Sequence, residues 1–151
     1  MIQVVDGRID VEPGSSLVAA LLDELRSLYG EEDEDAPAPD DLAPPAGRFF
    51  IAMRDGEAVG CGGVKHWADG VGEVKRMYVV PAFRRSGVAR VVLAAVEDEA
   101  RRRGYRELRL ETGVKQPEAI GLYQSAGFEL IPCWGIYAHA PLSRCLAKKL
   151  S

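Results

Sequence analysis

Histidine is nearly missing from this chain, with two among 151 residues, and cysteine is scarce, with three. His66 and His139 stand without a partner at a metal-ligand or triad spacing, so no metal centre is expected. Cys61, Cys133 and Cys145 are odd in number and widely spaced, which argues against disulfides and against structural zinc. No His-Asp or His-Asn pattern accompanies Cys61 or Cys133, both in apolar contexts, and thiol catalysis is disfavoured. No apolar run approaches the roughly 20 residues of a membrane span, and no basic segment followed by an apolar one opens the chain. A membrane partner is therefore not expected, and a cytoplasmic location is. Basic stripes interleaved with aromatics are lacking too, which excludes nucleic acid as the expected partner. The dinucleotide fingerprint G-x-G-x-x-G and the P-loop ending Gly-Lys-Ser/Thr are both absent.

What is present fits one domain spanning residues 1–151, without internal repeat or linker. Hydrophobic residues make up 47% and charged residues 28%, within the range of folded globular chains. The net charge of −4 conceals an asymmetry. Residues 1–47 carry 12 acids and 2 bases, a balance of −10, and residues 48–151 carry 11 acids and 17 bases, a balance of +6. The acidic excess peaks in Glu31-Glu32-Asp33-Glu34-Asp35, followed by proline-rich sequence to Pro45. Such a stretch reads as a solvated loop or as an acidic rim that attracts a cationic substrate, with the basic remainder suited to an anionic cofactor.

Periodicity sets the order of elements. A strand is expected within Ile2 to Val11, then a helix capped by Ser15 or Ser16 whose stripe is Leu17, Val18, Leu21, Leu22, Leu25 and Leu28. Arg48 to Arg54 and Glu57 to Trp67 read as strands joined at Asp55-Gly56, a strong hairpin signal. Ala68-Asp69-Gly70 turns the chain into a third strand, Gly72 to Val80. A helix from Val88 ends near Gly104, and alternation predicts a strand from Tyr105 to Glu111. Pro117 suits the start of a short helix that stops at Gly127, and Phe128 to Ile131 and Leu142 to Leu150 read as two final strands. The fold class is mixed α/β (α+β): a mostly antiparallel central sheet with flanking helices. The strand-turn-helix-strand stretch 73–111 has crossover length, so its two strands should run parallel. Gly60, Gly62 and Gly63 lie inside a strand pattern and precede no helix, which suggests a bulge or close packing.

The turn Arg84-Arg85-Ser86-Gly87-Val88-Ala89 joins the third strand to the second helix. Helix N-termini carry unpartnered N–H groups and partial positive charge, so this turn is a candidate cradle for a phosphate group, with Gly87 permitting close approach. Arg84 and Arg85 add charge.

The run Val79-x-Pro81-x-Phe83-Arg84-x-x-Gly87-Val88-Ala89 resembles the acetyl-CoA-binding signature Gln/Arg-x-x-Gly-x-Gly/Ala of the GNAT superfamily of N-acetyltransferases. Gln116-Pro117-Glu118-Ala119-Ile120-Gly121-Leu122-Tyr123 through Gly127-Phe128 resembles that family's second signature, with Gln116 where asparagine is common. The likeness runs from about Arg48 to the C-terminus and is weaker over the first 47 residues. It implies the GNAT-like fold with a parallel strand pair at the cofactor site, and acetyl-CoA as co-substrate. It implies that backbone groups of Met77, Tyr78 and Val79 pair with the pantetheine arm, and that the turn Arg85 to Arg90, with Ser86, Gly87, Val88 and Ala89, holds the pyrophosphate. It also permits a homodimer.

Acetyl transfer to an amine requires loss of an ammonium proton, stabilisation of an oxyanion and protonation of the departing thiolate. By the resemblance Tyr123 is the general acid. Glu73 and Glu111, on strands beside the cofactor position, are the candidate bases, with ion pairing to Lys or Arg as the other reading of each. The backbone near Val79 can polarise the thioester, and Trp67 and Trp134 line an acceptor pocket or pack in the core. The expected reaction is direct transfer to a primary amine of a small molecule. Acetylation of a protein N-terminus or lysine is the competing reading, and a non-catalytic acyl-CoA sensor is the third.

Overall fold

The computed structural model describes residues 1–30 and 36–151, so the acidic run Glu31 to Asp35 lies outside the described residues. Seven strands form one sheet: β1 (Ile2–Asp6), β2 (Gly47–Arg54), β3 (Glu57–Ala68), β4 (Val71–Val79), β5 (Glu107–Gly113), β6 (Glu129–Ile131) and β7 (Ser143–Lys149). Their spatial order is β1-β2-β3-β4-β5-β7-β6. Among the described residues three α-helices accompany them: α1 (Gly14–Tyr29), α2 (Val88–Arg102) and α3 (Pro117–Ser125). Every pairing is antiparallel except β4 with β5. The expected architecture is therefore the observed one.

Alternation along β2 shows how both faces are covered. Phe49 and Ile51 are buried with Leu17 and Leu21 of α1, whereas Phe50 joins Leu93 and Val96 of α2. Successive strand residues point to opposite faces, so a run buried on both sides reads as continuously apolar. The β2–β3 hairpin turns where Asp55 and Gly56 have φ of 51° and 80°, the left-handed pair of a tight hairpin turn.

The parallel contact is short. β4 meets β5 only from Val71–Glu73 to Glu107–Arg109. Beyond that point β5 stays with β7 and β4 stays with β3, leaving one edge of β4 open toward the gap between them. A bulge in β4 is the local cause. Cys61 faces Tyr78 but Gly63 faces Lys75, so the β4 side carries an extra residue, and Arg76 takes a φ of 61°. An inserted residue bends its strand and increases twist, which turns the end of β4 away from β5. The Cys61 thiol donates to the Arg76 carbonyl at 3.3 Å within this bulge. Gly62 makes room for the residue that follows Arg76, since a Cβ on Gly62 would lie 2.3 Å from Met77 Sδ, whereas Gly63 serves close packing against β2, where its Cβ would lie 2.7 Å from the Arg48 carbonyl.

Three expectations are corrected. Ser15 and Ser16 do not cap α1; they lie in its first turn, with Pro13 at the cap position, and donate to the Glu12 carboxylate at 2.8 and 2.6 Å. The fifth strand starts at Glu107 rather than Tyr105, because the Tyr105 N–H is spent on the Ala100 carbonyl at the end of α2. Disulfides were not expected, yet Cys133 and Cys145 form one, with Cα atoms 5.1 Å apart. Antiparallel pairing sets Ile131 of β6 opposite Cys145 of β7, so the residue two beyond β6 meets that cysteine, a proximity that sequence spacing does not reveal.

Candidate active site

The gap between β4 and β5 opens into a cavity of about 350 Å³. Its floor comes from Glu73 to Met77 and from Leu110 to Gly113. One wall is the end of α1, with Leu22, Leu25 and Tyr29; another is the segment 136–143; Tyr123 of α3 closes the side toward α2.

Both candidate bases line this cavity. Glu73 is 1% exposed and lies 3.8 Å from Lys65 Nζ and 3.7 Å from Lys75 Nζ. The Lys75 ammonium also donates to the Tyr137 hydroxyl at 3.3 Å. Glu111 is half-buried and accepts from the Ser143 hydroxyl at 2.8 Å.

Tyr123 is buried against Phe128, the rings meeting edge to face with centroids 5.8 Å apart. Desolvation pushes its phenol well above the ordinary tyrosine range. A tyrosine phenol holds its proton at neutral pH with or without this shift, so Tyr123 brings a donatable proton to the cavity wall.

Gln116 occupies the cap position of α3, and its Oε1 accepts from the Tyr29 hydroxyl at 3.1 Å and from Thr112 Oγ1 at 3.4 Å. The Tyr29 oxygen in turn accepts from the Lys115 N–H at 3.2 Å. Burial raises the Tyr29 pKa, the Lys115 N–H lowers it and the Glu111 charge raises it again, with the net direction upward. Tyr29 thus joins α1 to the start of α3 across the mouth of the cavity.

The basic turn lies at the other end of the open strand. A 3-10 turn at Pro81–Phe83 leads into Arg85, with φ of 66°, and Gly87, with φ of 86°, and α2 begins at Val88. No atom lies within 4 Å of a Cβ built on Gly87, so the backbone there is bare to an approaching group. Arg84 is held by partners within the protein. It donates to the Val79 carbonyl at 2.9 Å and to Glu24 of α1 at 2.7 Å, and its guanidinium lies over the Tyr78 ring, tethering the end of β4 to α1. Arg85 and Arg90 reach toward α3 instead, pairing with exposed Glu118 at 2.9 Å and with the Ser125 hydroxyl at 2.6 Å.

An open strand edge carrying amide partners, continuous with a helix N-terminus, fits an extended ligand whose arm holds amides and whose far end holds phosphates. Met77 to Val79 end β4, Val88 begins α2, and Gln116 and Tyr123 lie at the cap and within α3, so the residues singled out from the sequence lie at the ends of three neighbouring elements.

Residues 16–128 match the model of the acetyltransferase (GNAT) family. The chain is 40% identical to an IAA acetyltransferase of Azospirillum brasilense, over 91% of this chain and 94% of that one. The chain belongs to the GNAT acetyltransferase family. Among solved structures, one from Klebsiella pneumoniae described as an acyl-CoA N-acyltransferase superposes with a TM-score of 0.84 at 32% identity, covering 100% of this chain and 99% of that one. A GNAT family acetyltransferase from Elizabethkingia anophelis with acetyl-CoA bound shares the fold at a TM-score of 0.72 and 20% identity, over 99% and 98% of the two chains.

Against this GNAT frame, Trp67 and Trp134 do not line the cavity. They pack on one another with ring centroids 5.9 Å apart, and Arg109 lies over Trp134 at 5.5 Å. His66 lies 6.2 Å from the Tyr105 ring, and no cluster of three metal-ligating residues occurs among the described residues. Nor is any described helix long and apolar enough to cross a membrane. Sequence reasoning missed Tyr29, Tyr137 and Lys75 as cavity residues. Lys75 and Arg76 left a signal, two cations inside an otherwise apolar strand. Tyr29 and Tyr137 left none, since each reaches the site only through the packing of α1 and of the segment after β6.

Proposed function

We propose that this protein, one N-acetyltransferase domain over residues 1–151, transfers the acetyl group of acetyl-CoA to a primary amine of a small molecule by direct attack in a ternary complex. The divergence of β4 and β5 beside the α2 N-terminus carries the reading, because it exposes strand amides and helix N–H groups along one continuous line. The backbone of Met77, Tyr78 and Val79 is assigned to the pantetheine arm. The first turn of α2, with Arg85, Ser86, Gly87, Val88, Ala89 and Arg90, is assigned to the pyrophosphate.

Tyr123 is assigned as the acid that protonates the departing thiolate, a role open to a phenol that lines the cavity and carries its proton at neutral pH. Glu111 is the preferred base, reached directly or through one water. Glu73 lies between two ammonium groups and serves as their counter-ion, an arrangement that positions Lys75 in the floor. A cavity near 350 Å³ supports a small acceptor over a folded protein or extended peptide.

Two measurements test this reading. Acetyl-CoA at millimolar concentration should raise the melting temperature, and a panel of amines, amino acids and peptides should reveal an acceptor that releases free coenzyme A thiol. An unchanged melting temperature sinks the cofactor assignment. Binding without thiol release across the panel turns the reading toward a sensor.

A further inference from the structure

We propose that the Cys133–Cys145 disulfide is the anchor of the acceptor wall, positioning the segment 132–142 for amine binding while leaving the acetyl-CoA half of the site alone. The inference rests on the function proposed above for the cavity.

The segment between β6 and β7 supplies Ile136, Tyr137, Ala140, Pro141 and Leu142 to the cavity. Its backbone is held almost entirely by itself. Tyr137, Ala138, Ala140 and Ser143 donate to Trp134, Gly135, Tyr137 and Ala140, each three residues back. Among the described residues its main-chain bond to another part of the fold is Val114 N–H to the Leu142 carbonyl, 2.9 Å, at its far end. At the near end the tie is covalent, since Cys133 follows β6 by two residues and bonds to Cys145 on β7.

Position in the sheet makes that tie relevant to the site. Cys145 pairs in register with Glu111, the carboxylate in the cavity floor, and Ser143, two residues earlier on the same face, donates to that carboxylate. Side-chain contacts add to these fixings: Trp134 on Trp67 with Arg109 over its ring, Tyr137 on Lys75, and the Arg144 guanidinium donating to the Pro141 carbonyl at 3.1 Å. Trp67 is 39% exposed, so this aromatic contact is open to water and weakly confining. Breaking the covalent tie frees the near end of the wall. The cradle proposed at Arg85 to Arg90 is tied to α3 instead, through Glu118 and the Ser125 hydroxyl.

Access is asymmetric. Cys145 is fully buried, whereas Cys133 is half-buried, so an attacking thiolate reaches Cys133 Sγ and displaces Cys145. With dithiothreitol, the mixed disulfide at Cys133 closes to the cyclic oxidised reagent. Two electrons and two protons pass to the protein, and both cysteines become thiols.

Thiol counting with a chromogenic disulfide reagent gives the first test. The unfolded, unreduced chain should show one thiol, that of Cys61, and three after reduction. Three thiols before reduction would overturn the proposal. Reduction, or the Cys133→Ser variant, should raise the acceptor KM on the order of tenfold, the common size of such a coupling, with kcat and the acetyl-CoA KM nearly unchanged. Reoxidation should restore the wild-type value but not that of Cys133→Ser. Equal changes in both KM values, or none, would overturn the anchor role. Cys145→Ser places a hydroxyl in a fully buried site, where it costs folding stability, so Cys133→Ser carries the test. Amide exchange across 134–142 gives a readout independent of turnover and should quicken on reduction while the first turn of α2 stays unchanged. If no amine is acetylated, the proposed function fails, and the exchange result alone decides the anchor.

Discussion

Tyr29, the last residue of α1, donates its hydroxyl to Gln116 at the start of α3, 87 positions further along the chain. The bond ties the first helix to the helix that carries Tyr123, and it crosses the mouth of the cavity. Removing the hydroxyl with Tyr29→Phe should cost about 1 kcal/mol of stability, the usual net worth of such a bond. Acceptor KM should rise more than acetyl-CoA KM. The substitution Gly113→Ala should have a similar effect, because its Cβ would lie 1.9 Å from the Tyr29 hydroxyl oxygen. Denaturant melts and steady-state kinetics check both; a Gly113→Ala enzyme with wild-type KM values would contradict the role of this contact.

Tyr123→Phe retains the packing against Phe128 and deletes the proton donor. Turnover should fall by about 10²-fold, the size expected for loss of one general acid, while the acetyl-CoA dissociation constant stays within twofold of wild type. A wild-type kcat would remove Tyr123 from the chemistry.

Gly60 separates β3 from the first residue of α2. A Cβ there would lie 2.7 Å from Val88 Cγ1 and 3.0 Å from the Tyr78 carbonyl, two residues proposed above to hold acetyl-CoA. Gly60→Ala should destabilise the fold by roughly 1–3 kcal/mol, as overpacking does. It should also weaken acetyl-CoA binding, as measured by calorimetry. Affinity left intact would show that the cradle tolerates displacement of α2.

Glu99 of α2 accepts from Arg48 at 2.8 Å, Arg102 at 2.9 Å and Arg103 at 2.7 Å. Burial raises its pKa, but the three guanidinium donors outweigh burial and lower it overall. A carboxyl depressed in the folded state contributes stability above its unfolded pKa of about 4.3 and loses it as pH falls through the folded value. Glu99→Gln should therefore be less stable than wild type at pH 7, with the gap narrowing below about pH 4. Melting curves at the two pH values check the sign, and a gap that widens in acid would refute it.

The strand and helix order was legible because its signals are local. Alternation in β2 and β3, Asp55-Gly56 between them, and the apolar stripes of α1 and α2 each arise within a dozen residues. The turn before α2 was legible for the same reason: a short stretch containing Gly87 between a strand and a helix is a contiguous motif. Arg84 shows the limit of that logic. Its charge was visible, but its partners, Glu24 and the Val79 carbonyl, belong to elements that only packing brings together.

By itself, then, the sequence determined the elements, the parallel pair, the glycine-containing turn before α2 and the family resemblance, all carried by residues close along the chain. Tertiary structure decided the rest. It placed Tyr29 against Gln116, Lys65 and Lys75 around Glu73, and Cys133 onto Cys145. These contacts depend on strand register, on the bulge at Arg76 and on the course of the segment after β6, which no local pattern encodes. The acceptor side of the site is built from such contacts, and for that reason the chain alone named the cofactor but not the amine.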